Sequence, residues 1–313
     1  MAETNRPADV GFHAGELAVQ RRAGVEDRAA RLSRMLEPVE LDGAIAAFLA
    51  ERTFAAITGR DRAGRLWISP LTGRPGFLRA ASPTTLEIDA TIPPGDPLHD
   101  LPAGQPIGMV IVEFAARRRV RINGTLTRAD QRRLVIGIEQ AYGNCPQYIQ
   151  QRVLTPEPFD PARTGDVRHA SILSTEDGDL IRGADTLFLG TTHPKRGSDA
   201  SHRGGAPGFA RVEGNQVWWP DYAGNNLFNS FGNLAVDPEA AILFPDFATG
   251  RTLQLSGTAA VEWGEPGRPG DEGRTGRRAR FTPTHLVAGR LLAVRQTGHR
   301  RYPRNPELTD PAH

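Results

Sequence analysis

The feature that most constrains this chain is that it repeats itself. SPLTGRPGFLR (69 to 79) realigns without a gap on SHRGGAPGFAR (201 to 211), with identity at Ser69/Ser201, Gly73/Gly205, Pro75/Pro207, Gly76/Gly208, Phe77/Phe209 and Arg79/Arg211. After a one-residue slip the register continues: Glu113 and Phe114 fall on Asp246 and Phe247, Arg118 on Arg251, and Gly124 and Thr125 on Gly257 and Thr258. Two copies of one unit therefore span roughly residues 41 to 160 and 161 to 263, and the fold must be one that the chain can build twice.

Each copy reads as short strands separated by turns. In the second, DTLFLGTT (185 to 192), FARV (209 to 212), QVWWP (216 to 220), AAILFP (240 to 245) and TLQLSGTAAV (252 to 261) are β-branched, aromatic or apolar runs of strand length. TFAAITG, FLRA, TLEIDA, GMVIVEF and RVRINGTLT echo them in the first. With 25 Pro and 34 Gly for turns, the fold class expected is mainly β (α+β), two tandem β-barrels with peripheral helices. Helical spacing appears over 15 to 36 and 41 to 52. Residues 129 to 153 read as a helix linking the copies, broken near Gly143 and Asn144, and 264 to 280 as an exposed Gly, Pro and Arg segment. The expected division is a helical extension at 1 to 40, a first barrel with its linking helix at 41 to 160, and a second barrel with a C-terminal strand and tail at 161 to 313.

Charge and cysteine content narrow the function classes. The 38 basic and 36 acidic side chains nearly cancel, which argues against a nucleic-acid partner. A single cysteine, Cys145, excludes an internal disulfide framework and fits a reducing cytoplasm. The longest apolar runs, such as IGMVIV (107 to 112), are far too short for a membrane span, and no signal-peptide stretch opens the chain. A soluble cytoplasmic protein is the expectation. Nucleotide-binding glycine loops, HExxH and GxSxG are absent, and the eight histidines are scattered, so no metal site is expected.

The chemistry-bearing residues concentrate in the second copy. Five of the nine asparagines lie between 215 and 233, where WWPDYAGNNLFNSFGNLAVDP reads as a strand, a polar loop and a helix start. Unpaired backbone N–H groups and Asn or Ser donors at such a start suit a phosphate. The same residues also suit helix capping and turns.

The order SHRGGAPGFARV, WWPD, a GlyAsn-bearing loop, LFNSFGNLAVDPEAAILF and GRTLQLSGTA resembles the FMN-binding split barrel (Greek-key type) of pyridoxamine 5'-phosphate oxidase-like proteins, with His202 standing where that subgroup usually has Pro. Asp237 and Pro238 match the dipeptide after the family's helix, and Arg251 its strand-opening arginine. The resemblance implies an FMN cofactor bound mainly by Trp218 to Asn233. It places Ser201, His202, Arg203 and Gly204 in a turn beside the flavin, Trp219, Pro220 and Asp221 at the ring edge, and Asn225, Asn226, Asn229, Ser230, Asn233 and Arg251 among the phosphate and ribityl contacts.

The first copy's equivalent, TIPPGDPLHDLPAGQP (91 to 106), has no Asn or Ser. One competent site per chain follows, with the first copy standing in for a subunit and walling the cleft. A homodimer or an intrachain pseudo-dimer, a small-molecule substrate and a nicotinamide reductant are the implied partners. An FMN-dependent oxidoreductase is the leading expectation, and a non-enzymatic flavin carrier, sensor or scaffold the alternative. No side chain stands out as a catalytic acid or base. Cys145 in GNCPQYIQ and the ending ArgTyrProArgAsnPro (301 to 306) also resemble family segments; a buried inert thiol and a loose tail are their plainer readings.

Overall fold

The computed structural model describes residues 11–36, 40, 41, 43–160 and 167–308. In the first copy the strands are β1 (Phe54–Arg60), β2 (Leu66–Thr72), β3 (Leu78–Ser82), β4 (Thr85–Asp89), β5 (Gln105–Glu113), β6 (Arg118–Ala129) and β7 (Arg133–Asn144), followed by β8 (Gln151–Pro156). In the second they are β9 (Arg168–Ala170), β10 (Thr186–His193), β11 (Gly197–Gly204), β12 (Arg211–Glu213), β13 (Gln216–Pro220), β14 (Glu239–Pro245), β15 (Thr252–Trp263), β16 (Arg277–Gly289) and β17 (Val294–Arg300).

The duplication is visible in the sheets. One runs β2-β1-β5-β6-β7-β4-β3 and the other β11-β10-β14-β15-β16-β13-β12, every neighbour antiparallel, so the second order is the first with each strand replaced by its sequence equivalent. Each sheet curls around its own core. Ala55, Ile57, Met109, Ile122 and Ile136 meet in one, and Leu187, Leu189, Trp219, Ile242 and Phe281 in the other.

Alternation puts the intervening residues on the opposite face, and there the two sheets pack on each other. Phe54, Ala56, Ile68 and Val110 join Phe188, Ala200, Ala241 and Leu243 in a third core. Phe114 and Phe247, aligned from sequence alone, touch across this interface with ring centroids 5.2 Å apart. Phe54 lies 5.3 Å from Phe188 and 5.5 Å from Phe247. Each such ring contributes about 2 kcal/mol by leaving water, so the contact between the copies is a core of its own.

Both copies carry a bulge at the same place, between Asn123 and Gly124 and between Ser256 and Gly257. A Cβ on Gly124 would lie 2.1 Å from the Gly137 carbonyl oxygen, and one on Gly257 2.1 Å from that of Thr282. The backbone must move to admit any side chain. Gly257→Ala is expected to lower unfolding stability by about 3 kcal/mol in denaturant titrations, where a surface alanine changes it by a few tenths.

Helices form at the expected ends: α1 (Ala14–Arg22), α2 (Glu26–Ala30), a 3-10 turn at Ser33–Leu36 and α3 (Gly43–Ala50). Two more, α4 (Thr175–Gly183) and α5 (Asn229–Leu234), belong to the second copy. No helix among the described residues is long and apolar enough to cross a membrane.

Three expectations need correction. Residues 133 to 144 are not a linking helix but β7. Asp130 Oδ1 accepts from the backbone N–H groups of Arg132 and Arg133, closing a hairpin on β6, and alternating Leu134 and Ile136 enter the core. Ser201 to Gly204 lie in strand β11, paired with β10, and not in a turn. The chain's last strand, β17, pairs with β8 of the first copy, so the C-terminal segment crosses back over the expected boundary.

Candidate functional site

Strand β6 carries Arg119, Arg121 and Asn123 on one face, while Ile122 between them enters the first core. That polar face meets β11 of the second copy. Arg121 Nη1 donates to Asp199 Oδ2 at 2.9 Å, and Asn123 Nδ2 to Asp199 Oδ1 at 3.4 Å. Arg119 Nη1 donates to the His202 carbonyl at 3.1 Å and lies 3.0 Å from His202 Nδ1. Burial and four surrounding arginines hold His202 well below its ordinary pKa, so the ring is neutral. Accepting at Nδ1 assigns its proton to Nε2.

A second arginine pair comes from the second copy alone. Arg203 Nη1 donates to Asp221 Oδ1 at 3.3 Å and Arg277 Nε to Asp221 Oδ2 at 2.9 Å. Their guanidinium groups lie over Phe231 and Phe228, 5.0 and 5.1 Å from the ring centroids.

Arg119, Arg121, His202, Arg203, Asp221 and Arg277 line one cleft between the copies, open to solvent. Asn144, Cys145, Gln147 and Tyr148 of the first copy close one side. The Tyr148 ring meets that of Tyr222 in a tilted contact at 5.0 Å and its hydroxyl donates to the Ala223 carbonyl at 3.0 Å, joining the two walls at the mouth. Residues 301 to 308 lie beside this wall: Tyr302 N donates to Gln150 Oε1, and Asn305 pairs with the same amide.

Four guanidinium groups face two carboxylates, an excess of two positive charges at this cleft. Among the described residues Arg119 has no carboxylate partner, and burial together with Arg121 and Arg203 lowers it to about 9. Several buried donors lining the cleft also lack partners: Arg119 Nε, Arg121 Nε, Arg203 Nε, His202 Nε2, Trp219 Nε1 and Asn144 Nδ2. Unsatisfied buried donors are costly, and an anion rich in acceptor oxygens would satisfy them.

Of the residues singled out from sequence, the structure brings together His202, Arg203, Gly204, Trp219, Pro220, Asp221, Asn225, Asn226, Asn229 and Ser230 on this cleft. Ser201 sits behind the wall, its Oγ 3.1 Å from that of Ser230. Asn233 turns away, donating to Thr191 Oγ1 and accepting at His13 in a separate recess. Arg251 is not at the cleft; it pairs with exposed Glu176 at 3.3 Å. Asn229 and Ser230 are already engaged, with Glu16 and Asp199. The helix they open has only six residues, begins at a left-handed Phe228 and has no side-chain cap, so it is a weak anion site by itself.

The residues missed from sequence are Arg119, Arg121 and Arg277, the last opening β16 within the stretch expected to be an exposed segment. The signal for the first two was present in RVRIN, an alternating charged face on a strand that must be buried on both sides.

No protein-family description and no curated protein matches this chain. Among solved structures, it is similar to a pyridoxinephosphate oxidase family protein related to general stress protein 26 from Clostridium acetobutylicum (14% identity, 39% of this chain and 91% of that one, TM-score 0.28). It is similar also to an FAD binding protein from Mycobacterium smegmatis (16% identity, 40% and 97%, TM-score 0.27) and to the heme storage protein HutZ from Vibrio cholerae (17% identity, 38% and 95%, TM-score 0.28).

Proposed function

We propose that this protein is an FMN-binding flavoprotein whose inter-copy cleft holds the phosphate monoester on guanidinium groups from both copies. The observation that carries this reading is the buried excess of two positive charges among partnerless donors, which matches a phosphate dianion. Arg119 and Arg203 would meet the phosphate, with Arg121 and Arg277 held behind them by Asp199 and Asp221. Asn225, Asn226 and Asn229 suit the ribityl hydroxyls, and Trp219 and Tyr222 the ring edge.

A bound flavin supplies hydride or electron transfer through its ring. The chain's own residues orient it, exclude water through the Tyr148–Tyr222 contact and keep His202 neutral. The finer proposal is an FMN-dependent oxidoreductase acting on a small molecule, with a nicotinamide as reductant.

Titration of purified protein with FMN is expected to quench flavin emission and the emission of buried Trp219 at one equivalent per chain. No uptake, or purification with a heme Soret band in place of flavin, would refute the reading. Anaerobic mixing with NADH or NADPH separates enzyme from carrier: bleaching of the flavin's visible band supports the oxidoreductase, and its absence the carrier.

A further inference from the structure

Helix α1 lies against the far side of the cleft wall. Gly15 and Gly232 let the helices touch, since a Cβ on Gly15 would stand 2.2 Å from the Gly232 carbonyl oxygen. The polar contacts of α1 run to the segment that forms the wall. Gln20 Nε2 donates to the Leu227 carbonyl at 3.1 Å, and Asn229 Nδ2, on the cleft, donates to Glu16 Oε1 at 2.6 Å. Glu16 Oε2 accepts from the His13 backbone N–H at 2.8 Å.

Glu16 is 2% exposed and has no cationic hydrogen-bond partner. His13 is its neighbour at 3.6 Å, and burial lowers His13 to about 4, so it is neutral near pH 7. From the β10–β11 hairpin, His193 stacks on His13 at 4.3 Å and is also lowered, chiefly by burial. Arg196 and Asp199 from the same hairpin act on Glu16 with opposite sign. Asn123 and Gln140 from β6 and β7 are neutral, and so is the β7 phenol of Tyr142, which burial and then Asp199 push well above its ordinary range, Glu16 adding to the shift. An isolated carboxylate in such a place is expensive to ionise, and burial raises Glu16 from 4.5 to about 7.

Resting on the reading of the cleft as an anion site, we propose that Glu16 is a proton-linked positioning residue: it holds Asn229 in the wall and takes up a proton when an anionic ligand binds. An ionised Glu16 would cancel part of the two-charge excess that attracts the ligand. Ligand charge and Glu16 charge therefore oppose each other, and by linkage the ligand raises the carboxyl's proton affinity. Simple helix capping predicts no such exchange.

The sign for the free protein follows from the raised acid. Between about pH 4.5 and 7 the folded state holds the Glu16 proton more tightly than the unfolded one, so the Glu16 contribution to α1 docking falls as pH rises through this window, while His13, lowered to about 4, contributes with the opposite sign between about pH 4 and 6.5.

Two measurements test the proposal. Calorimetric titration with FMN near pH 7.5, in buffers of different ionisation enthalpy, is expected to show uptake of about 0.3 to 0.5 proton more for the wild type than for Glu16→Gln. Equal proton counts would overturn it. Amide exchange of α1 in ligand-free protein, corrected for intrinsic rates, should show the protection of the wild type relative to Glu16→Gln falling by up to about fortyfold between pH 5 and 7, the His13 contribution being common to both. An identical pH dependence of α1 protection in the two proteins would also overturn the proposal, and this result needs no ligand. If FMN fails to bind while α1 protection still titrates, the FMN reading falls and the proton-linked hold of Glu16 on the wall stands.

Discussion

Arg119→Gln is expected to weaken FMN binding by about a hundredfold while leaving the ligand-free protein as stable as before or slightly more so. The two effects part because Arg119 is a cation without a counter-ion. It donates only to neutral groups of His202, and Arg121 and Arg203 stand beside it. Removing it relieves repulsion and a desolvation cost, which is often stabilising by about 1 kcal/mol. The same removal deletes a charge-assisted contact to the phosphate, about 2 to 3 kcal/mol made out of water. Equilibrium unfolding without ligand and fluorescence titration with FMN read the two quantities separately. A variant that lost stability yet kept its affinity would show that Arg119 is structural.

Asp221→Asn should behave in the opposite sense. Asp221 is 4% exposed and receives Arg203 and Arg277 together, so its loss leaves two buried guanidinium groups facing a neutral amide. Breaking a buried pair from one side costs about 3 to 5 kcal/mol. The ligand-free variant is expected to unfold at correspondingly lower denaturant concentration, with FMN or inorganic phosphate restoring more stability than in the wild type. Equal stabilisation of both proteins by phosphate would mean that the ligand does not sense this charge.

The fold was legible because the repeat exposes what both copies need. Gly73 and Gly205 sit against Phe77 and Phe209, a Cβ on either falling within 2.6 Å of the ring-bearing Cβ, and Phe114 meets Phe247 at the interface. Those shared residues are framework. The site was half legible: the segment from Trp219 to Ser230 does line the cleft, since it is the part the first copy lacks.

The other half is composed by packing. Arg119 and Arg121 are 82 and 80 residues upstream of Ser201, in the copy that lacks the Asn and Ser donors, and their equivalents in the second copy are Thr252 and Gln254. Gln254 Nε2 there binds Ser69 Oγ at 2.8 Å and buried Asp96 at 3.0 Å. The mirror-image position thus holds a compact polar network without arginines. Arg251 was assigned from its strand-opening place, but it precedes the inward face of β15 and turns to solvent. The helix expected over 129 to 153 failed because apolar residues three and four apart in LVIGIEQAY also alternate. The Asp130 turn, pairing β6 with β7, decides between the two.

The central claim, that buried arginines from both copies hold a phosphate monoester, is tested most directly by comparing FMN with riboflavin on the wild-type protein. The two ligands share ring and ribityl chain and differ only in the phosphate. The account predicts that riboflavin binds at least about a hundredfold more weakly, the contribution of two or more charge-assisted contacts. Equal affinity for the two ligands would contradict it.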